Sequence, residues 1–144
     1  MGKSVSAKMG IKEKSRAIFL NAPAGVLKDI DPPSLKRATK LNGNFDLIHV
    51  FAEKEKDLRK KFKPLKKHLS PKGMLWVSWP KYGQHGTDLS LPEIIKIGYN
   101  NGLVESKTLS INSSWSAIKF THPKKGKVYH NSYGKLRHSD ESDA

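Results

Sequence analysis

Phe45-Asp46-Leu47-Ile48-His49-Val50-Phe51, the helical stretch 53–69 and Met74-Leu75-Trp76-Val77-Ser78-Trp79 decide the fold of this chain. The first and last are short, nearly unbroken apolar runs, as expected of strands buried on both faces of a parallel sheet. Between them Leu58, Phe62, Leu65 and Leu69 recur at intervals of four, three and four, which places them on one stripe of a helix. Pro64 lies inside this stretch and cannot donate to the carbonyl four residues back, so a kink or a fresh helical turn is expected there. Asn42-Gly43-Asn44 reads as the turn before the first strand, and Ser70-Pro71-Lys72-Gly73 as the end of the helix. Strand, helix, strand in this order predicts a βαβ unit.

The same reading extends in both directions. Upstream, Ala17-Ile18-Phe19-Leu20 is a further buried-strand run that stops at Asn21-Ala22-Pro23-Ala24-Gly25. Residues 25–30 predict a short helix ended by Asp31-Pro32-Pro33, and Leu35–Thr39 a weak strand. Downstream, Pro80 ends a strand and 83–90 is a polar loop. A helix follows to about Asn100, with Ser90 at its cap, Glu93 three residues on and Gly102 at its close. Residues 103–111 and 115–121 then read as a β-hairpin turning at Asn112-Ser113-Ser114.

The 144-residue length suits one domain with tails: a basic N-terminal arm over 1–16, a folded domain over 17–122 and a flexible polar tail over 123–144. The arm carries Lys3, Lys8, Lys12, Lys14 and Arg16 against Glu13, and is expected to be mobile to about Met9. No cysteine is present, which removes disulfides, thiol nucleophiles and thiolate metal sites. No apolar run is long enough to span a bilayer and none near the N-terminus resembles a signal peptide, so a cytoplasmic location without membrane association is the expectation. The histidines are scattered without zinc-ligand spacing, and no metal site is predicted. Nucleophile-elbow and Walker-loop patterns are absent.

Formal net charge is +14, a surface that attracts polyanions such as nucleic acid, or acidic proteins. Residues 54–72 hold nine basic residues against Glu55 and Asp57. At about 100° per residue, Lys56, Lys60, Lys63 and Lys67 fall opposite the apolar stripe, giving a basic outer face. Such a face is either an ordinary solvated surface or a sequence-blind phosphate contact.

From Phe45 to Val50, and again from Leu65 to Ser78, the chain resembles class I S-adenosylmethionine-dependent methyltransferases, at the fourth strand, following helix and fifth strand of their sheet. The terminal hairpin matches their sixth and seventh strands. A closer resemblance covers Ala17 to Phe120 and is to a bacterial domain-of-unknown-function family of short methyltransferase-like proteins. It is carried by Leu20-Asn21-Ala22-Pro23-Ala24-Gly25, by 45–51, by Gly73 to Lys81, by Thr87-Asp88-Leu89 and by Ser114-Trp115-Ser116. The resemblance implies a small three-layer α/β fold: a truncated, Rossmann-like, mostly parallel sheet with a C-terminal antiparallel hairpin. S-adenosylmethionine is the cofactor it implies. Two features depart from that pattern. The first-strand turn has one glycine, Gly25, and a proline, and Leu35 to Lys40 offers no acid for ribose hydroxyls. Only the 24 residues from Ala22 to Phe45 fill a span in which the full sheet holds two strands and three helices, so at least one β-α unit is expected to be missing.

Ligands of open α/β sheets sit beyond the carboxyl ends of the strands. That rule nominates Asn21, Gly25, Ser78, Trp79, Lys81, Tyr82 and Asp88, from loops expected to converge on one edge. Each also has a purely structural role open to it: a turn for Asn21, packing for Trp79, a cap for Asp88. His49, inside a strand, reads as a buried neutral histidine. Three functions stay open: a non-catalytic domain binding a small ligand or a partner, an active methyltransferase, and a basic nucleic-acid-binding module.

Overall fold

The computed structural model describes residues 3–131 and 134–136; residues 1–2, 132–133 and 137–144 lie outside the described residues. Six strands form one sheet in the order β2-β1-β3-β4-β6-β5. They are β1 (Arg16–Leu20), β2 (Lys36–Arg37), β3 (Phe45–Phe51), β4 (Leu69–Pro80), β5 (Val104–Ser110) and β6 (Trp115–Thr121). The first four run parallel, and β6 and β5 pair antiparallel. The fold is therefore a mixed α/β sheet, mostly parallel, with an antiparallel C-terminal hairpin.

Alternation along the central strands sends side chains to two cores. On one face, Ile48, Val50, Leu75, Val77, Ile118 and Phe120 meet α3 (Glu55–Lys67) and α4 (Leu91–Asn100). On the other, Ala17, Leu47, Phe51, Trp76 and Ala117 meet α1 (Val5–Met9) and α2 (Val26–Ile30). Three layers result. Trp76 and Trp79, three residues apart on one strand, belong to opposite cores.

The N-terminal arm is not a mobile lead-in as far as Met9. Its residues 5–9 are helical, Ser4 caps them by accepting from the Ala7 amide, and Met9 is buried beneath the sheet. A basic composition hid one apolar anchor: Met9 has a core site to fill, and Ser6 Oγ donates to the Asp31 carbonyl at 2.7 Å. At the other end, β7 (Tyr129–Asn131) and β8 (Gly134–Leu136) pair as a small antiparallel hairpin.

β4 begins at Leu69, not Met74. Phe45 pairs with Leu69 and Leu47 with Met74, so Ser70–Gly73 is an excursion within one strand rather than a stop. Gly73 is required there, since a Cβ would lie 2.7 Å from the Phe45 carbonyl oxygen. Pro64 does not break α3, which is assigned without interruption over 55–67. The proline falls in the last turn, where little helix remains to be disturbed. Ser90 stands at the cap position of α4, but its side chain makes no capping bond. The expected capping box is therefore not formed.

No helix separates β2 from β3: residues 38–44 return directly. This is where the expected β-α unit is missing. Arg16 holds that return in place. Its guanidinium donates to the Asn44 carbonyl (2.7 Å) and Asn42 Oδ1 (2.9 Å), and lies 4.0 Å over the Phe45 ring. Asp46 Oδ2 meanwhile accepts from the Arg16 amide at 2.9 Å. Arg16→Lys keeps the charge but loses the fork and the flat ring contact. It is expected to cost about 1–2 kcal/mol, read as a lower urea midpoint with unchanged slope; an unaltered midpoint would show that the loop holds itself.

Candidate functional site

The chain leaves β1 for β2 on one side and reaches β3 on the other, so the strand order reverses between β1 and β3. A crevice opens beyond the carboxyl ends of such neighbours. Here it has a volume of about 380 Å³. Asn21 and Pro23 enter it from the β1 turn, Glu53 and Asp57 from the end of β3 and the start of α3, and His85 and Trp115 from the far side. Asn21 holds a left-handed backbone, φ 60°, which asparagine tolerates better than most residues.

An aromatic row runs beneath this crevice, and its Phe51, Trp115 and His85 line it. Phe19 and His49 centroids are 5.8 Å apart, and His49 stacks on Phe51 at 4.2 Å. Phe51 meets Trp115 edge-on at 5.5 Å, and His85 stacks on Trp115 at 5.9 Å. His85 arrives on the irregular turn Lys81–Gly86, where Tyr82, Gly83, His85 and Gly86 all have positive φ. From sequence, its residues from Gly83 onward read only as part of the polar loop 83–90. Nothing in its composition says which strand end it reaches, so His85 and Trp115 were not nominated.

The nominated residues do not meet in one place. Of the seven, only Asn21 lines this crevice. Trp79, Lys81 and Tyr82 line a separate groove of about 350 Å³ with Leu91, Ser110 and Ser116. There Lys81 Nζ donates to Ser110 Oγ, and Tyr82 is 94% exposed. Ser78 is fully buried, its Oγ 2.7 Å from His49 Nε2. It sits on a strand rather than at its tip. Gly25, φ 82°, caps α2, and a Cβ there would meet nothing within 4 Å.

Asp88 has a structural role: its carboxylate accepts from the Glu55 amide at 2.8 Å. The α3 cap residue, Lys54, has no side-chain cap of its own, so a distant loop supplies one. Thr87 Oγ1 donates to the Glu53 carbonyl and Lys54 Nζ to the Gly86 carbonyl, which clamps residues 86–88 onto 53–55. Asp88→Ala is expected to lower stability by about 1 kcal/mol, with Asp88→Asn recovering part of it; equal losses in both variants would count against the cap.

Burial pushes the His49 imidazole down to about 3, so the ring is neutral across the physiological range. Its Nδ1 has no hydrogen-bond partner and the ring is closed off from the crevice by Phe51. Among the described residues no group of three His, Asp or Glu side chains is placed to hold a metal ion. Among them, too, no helix is long and apolar enough to cross a membrane.

Neither a protein-family model nor a curated protein sequence matches the chain. Solved structures do. The chain is similar to a ribosomal protein L11 methylase from Lactobacillus delbrueckii subsp. bulgaricus, with 13% identity, TM-score 0.56, and coverage of 82% of this chain and 75% of that one. It is similar to the N-methyltransferase NodS from Bradyrhizobium japonicum, with 16% identity, TM-score 0.55, and coverage of 83% and 91%. A TehB-like SAM-dependent methyltransferase from Corynebacterium glutamicum gives 10% identity, TM-score 0.53, and coverage of 83% and 86%. The fold is thus the Rossmann-like fold of S-adenosylmethionine-dependent methyltransferases. At these identities the likeness speaks for the fold alone.

Proposed function

We propose that this chain is a non-catalytic, methyltransferase-type domain that binds a small ligand in the crevice between the ends of β1 and β3. The observation that carries this reading is the origin of the acids. Glu53 and Asp57 both come from the β3 side, whereas β2 runs into Ala38-Thr39-Lys40. S-adenosylmethionine held as in the resembled family needs an acid at the end of β2 and a close glycine turn after β1. A lysine stands near the first position. At the second, Gly25 faces open space rather than a cradle that a Cβ would fill. The residues therefore do not fit that cofactor in that pose, and no methyl-transfer step is derived from them.

The lining suits a ligand with a flat ring against Trp115 and His85, hydroxyl donors for Glu53 and Asp57, and an acceptor for Lys61. A thermal-shift panel of adenosine, AMP, ATP, S-adenosylmethionine and S-adenosylhomocysteine tests this. A ligand at a hundred times its Kd adds about 2.7 kcal/mol to the folded state, or roughly 10 °C in a domain of this size. At least one compound is expected to raise Tm, and Glu53→Gln to shrink the rise. A panel without any shift, or a shift indifferent to Glu53→Gln and His85→Ala, would remove the crevice as a site. Methyl transfer from labelled S-adenosylmethionine to a component of a cell extract would instead establish an active methyltransferase.

A further inference from the structure

We propose that the outer face of α3, with the hollow at its carboxyl end, docks on the phosphate backbone of duplex nucleic acid without reading its sequence. The proposal is independent of the crevice and of what fills it.

Three observations carry it. First, the charges are real surface charges without compensation. Lys56, Lys60, Lys63 and Lys67 are all exposed, while Leu58, Phe62 and Leu65 on the opposite stripe are buried in the core. The ion pairs among the described residues both belong to Arg59, with Glu55 at 2.8 Å and Glu93 at 3.6 Å. Asp57 lines the crevice instead. No carboxylate of the described residues therefore lies within ion-pair distance of the four lysines.

Second, the row has a useful length. Lys56 to Lys67 spans about 16 Å at 1.5 Å per residue. A duplex strand presents one phosphate per roughly 3.4 Å of axis, so the row covers about five steps. Flexible ammonium groups on long stems match such a repeating set of point charges.

Third, the row ends in a hollow. A cavity of about 340 Å³ is lined by Asn44, Lys66, Lys67, His122 and Pro123, among others. Lys67 is common to row and hollow, and exposed Lys124 follows Pro123 directly. The hollow gives the basic surface a concave end with donors on two sides.

The same observations select among polyanions. The apolar stripe of α3 is spent on the core, so the helix has no free apolar face to sink into a bilayer. The outer face carries no aromatic side chain for base stacking, which favours a duplex backbone over single-stranded bases.

Fluorescence anisotropy with two unrelated labelled duplexes of about 20 base pairs, at about 50 mM salt and upward, tests the proposal. Both duplexes are expected to bind equally, with log K falling against log salt at a slope of about −3 to −4, as four contacts require. Lys60→Glu/Lys63→Glu/Lys67→Glu should lower affinity by about a hundredfold. Lys28→Glu/Lys36→Glu/Lys40→Glu makes the same change in net charge on other elements and should lower it by no more than about threefold. All six positions are exposed, so both triples are expected to keep the wild-type Tm. An absence of wild-type binding, equal losses in the two triples, or tighter binding to phosphatidylserine vesicles or polyglutamate than to duplex would each overturn the proposal.

Discussion

Gly98→Ala is expected to destabilise the domain by about 2 kcal/mol, lowering Tm by roughly 8 °C, although alanine is the better helix former. Gly98 lies inside α4 where the helix crosses β6. A Cβ at this position would stand 2.1 Å from Phe120 Cε1 and 2.7 Å from both Cδ1 and Cζ. The ring cannot turn aside cheaply. Phe120 is fully buried and meets Phe62 edge-on, with centroids 5.6 Å apart at 89°. Phe62, on the inner face of α3, is itself fully buried. Adding one methyl group therefore displaces a helix or two aromatic rings, at a cost of about 1–3 kcal/mol or more, against a gain of about 1 kcal/mol in helix propensity. Urea unfolding of Gly98→Ala, Phe120→Leu and the double variant separates these terms. The smaller leucine should relieve the clash, so the double variant is expected to be more stable than the sum of the single losses. A Gly98→Ala protein as stable as wild type would show that α4 can lift from the sheet freely.

Gly98 also shows where sequence reading stops. Its helix was legible from spacing and flanking turn residues, but a glycine between Ile97 and Tyr99 carries no mark of what it touches. The strands β1 and β3 and the 74–79 part of β4 were legible for a different reason. A strand buried on both faces must be apolar almost throughout, so its sequence is nearly its structure. The Ser70-Pro71-Lys72-Gly73 run misled for the converse reason: turn residues look alike whether they end an element or bulge from one. The same limit governs the site. The strand-end rule puts Asn21 at the crevice because the β1 turn needs no partner to be located. It does not put Ser78 there, since β4 continues to Pro80 and the hydroxyl is buried against His49. It failed for Asp88 because the amide it caps is 33 residues away in the chain. His85 and Trp115 belong together only after β6 is laid beside β4, a long-range pairing that local pattern does not encode. The truncation, in contrast, was legible as a shortage of chain, and the 38–44 return bears it out.

His49 is expected to make this protein acid-labile, and the sign follows from which state holds the proton. Unfolded, the imidazole titrates near 6.5; folded, burial lowers it to about 3. Between those values the unfolded chain binds the extra proton, so stability is complete above about pH 6.5 and falls as pH drops. Each unit is worth about 1.4 kcal/mol, giving a loss of roughly 2–3 kcal/mol from this residue between pH 6.5 and 4.5. The geometry explains the size of the effect. Nε2 shares its hydrogen bond with buried Ser78 Oγ at 2.7 Å, and Nδ1 has no partner at all. An imidazolium would have to bury a charge and an unmet N–H between Phe19 and Phe51. His49→Phe keeps a ring in that stack, and Ser78→Ala in the same chain removes the hydroxyl that would otherwise be stranded. Urea midpoints of wild type and His49→Phe/Ser78→Ala should diverge steadily below pH 6.5, with the variant the less acid-sensitive. The carboxylates of the protein contribute equally to both curves, so the difference isolates the histidine. Parallel curves would mean that the proton is accommodated and that the sheet opens beside Phe51 to admit water. In that case the floor of the crevice would itself be mobile, and a ligand seated there would shift the titration of His49.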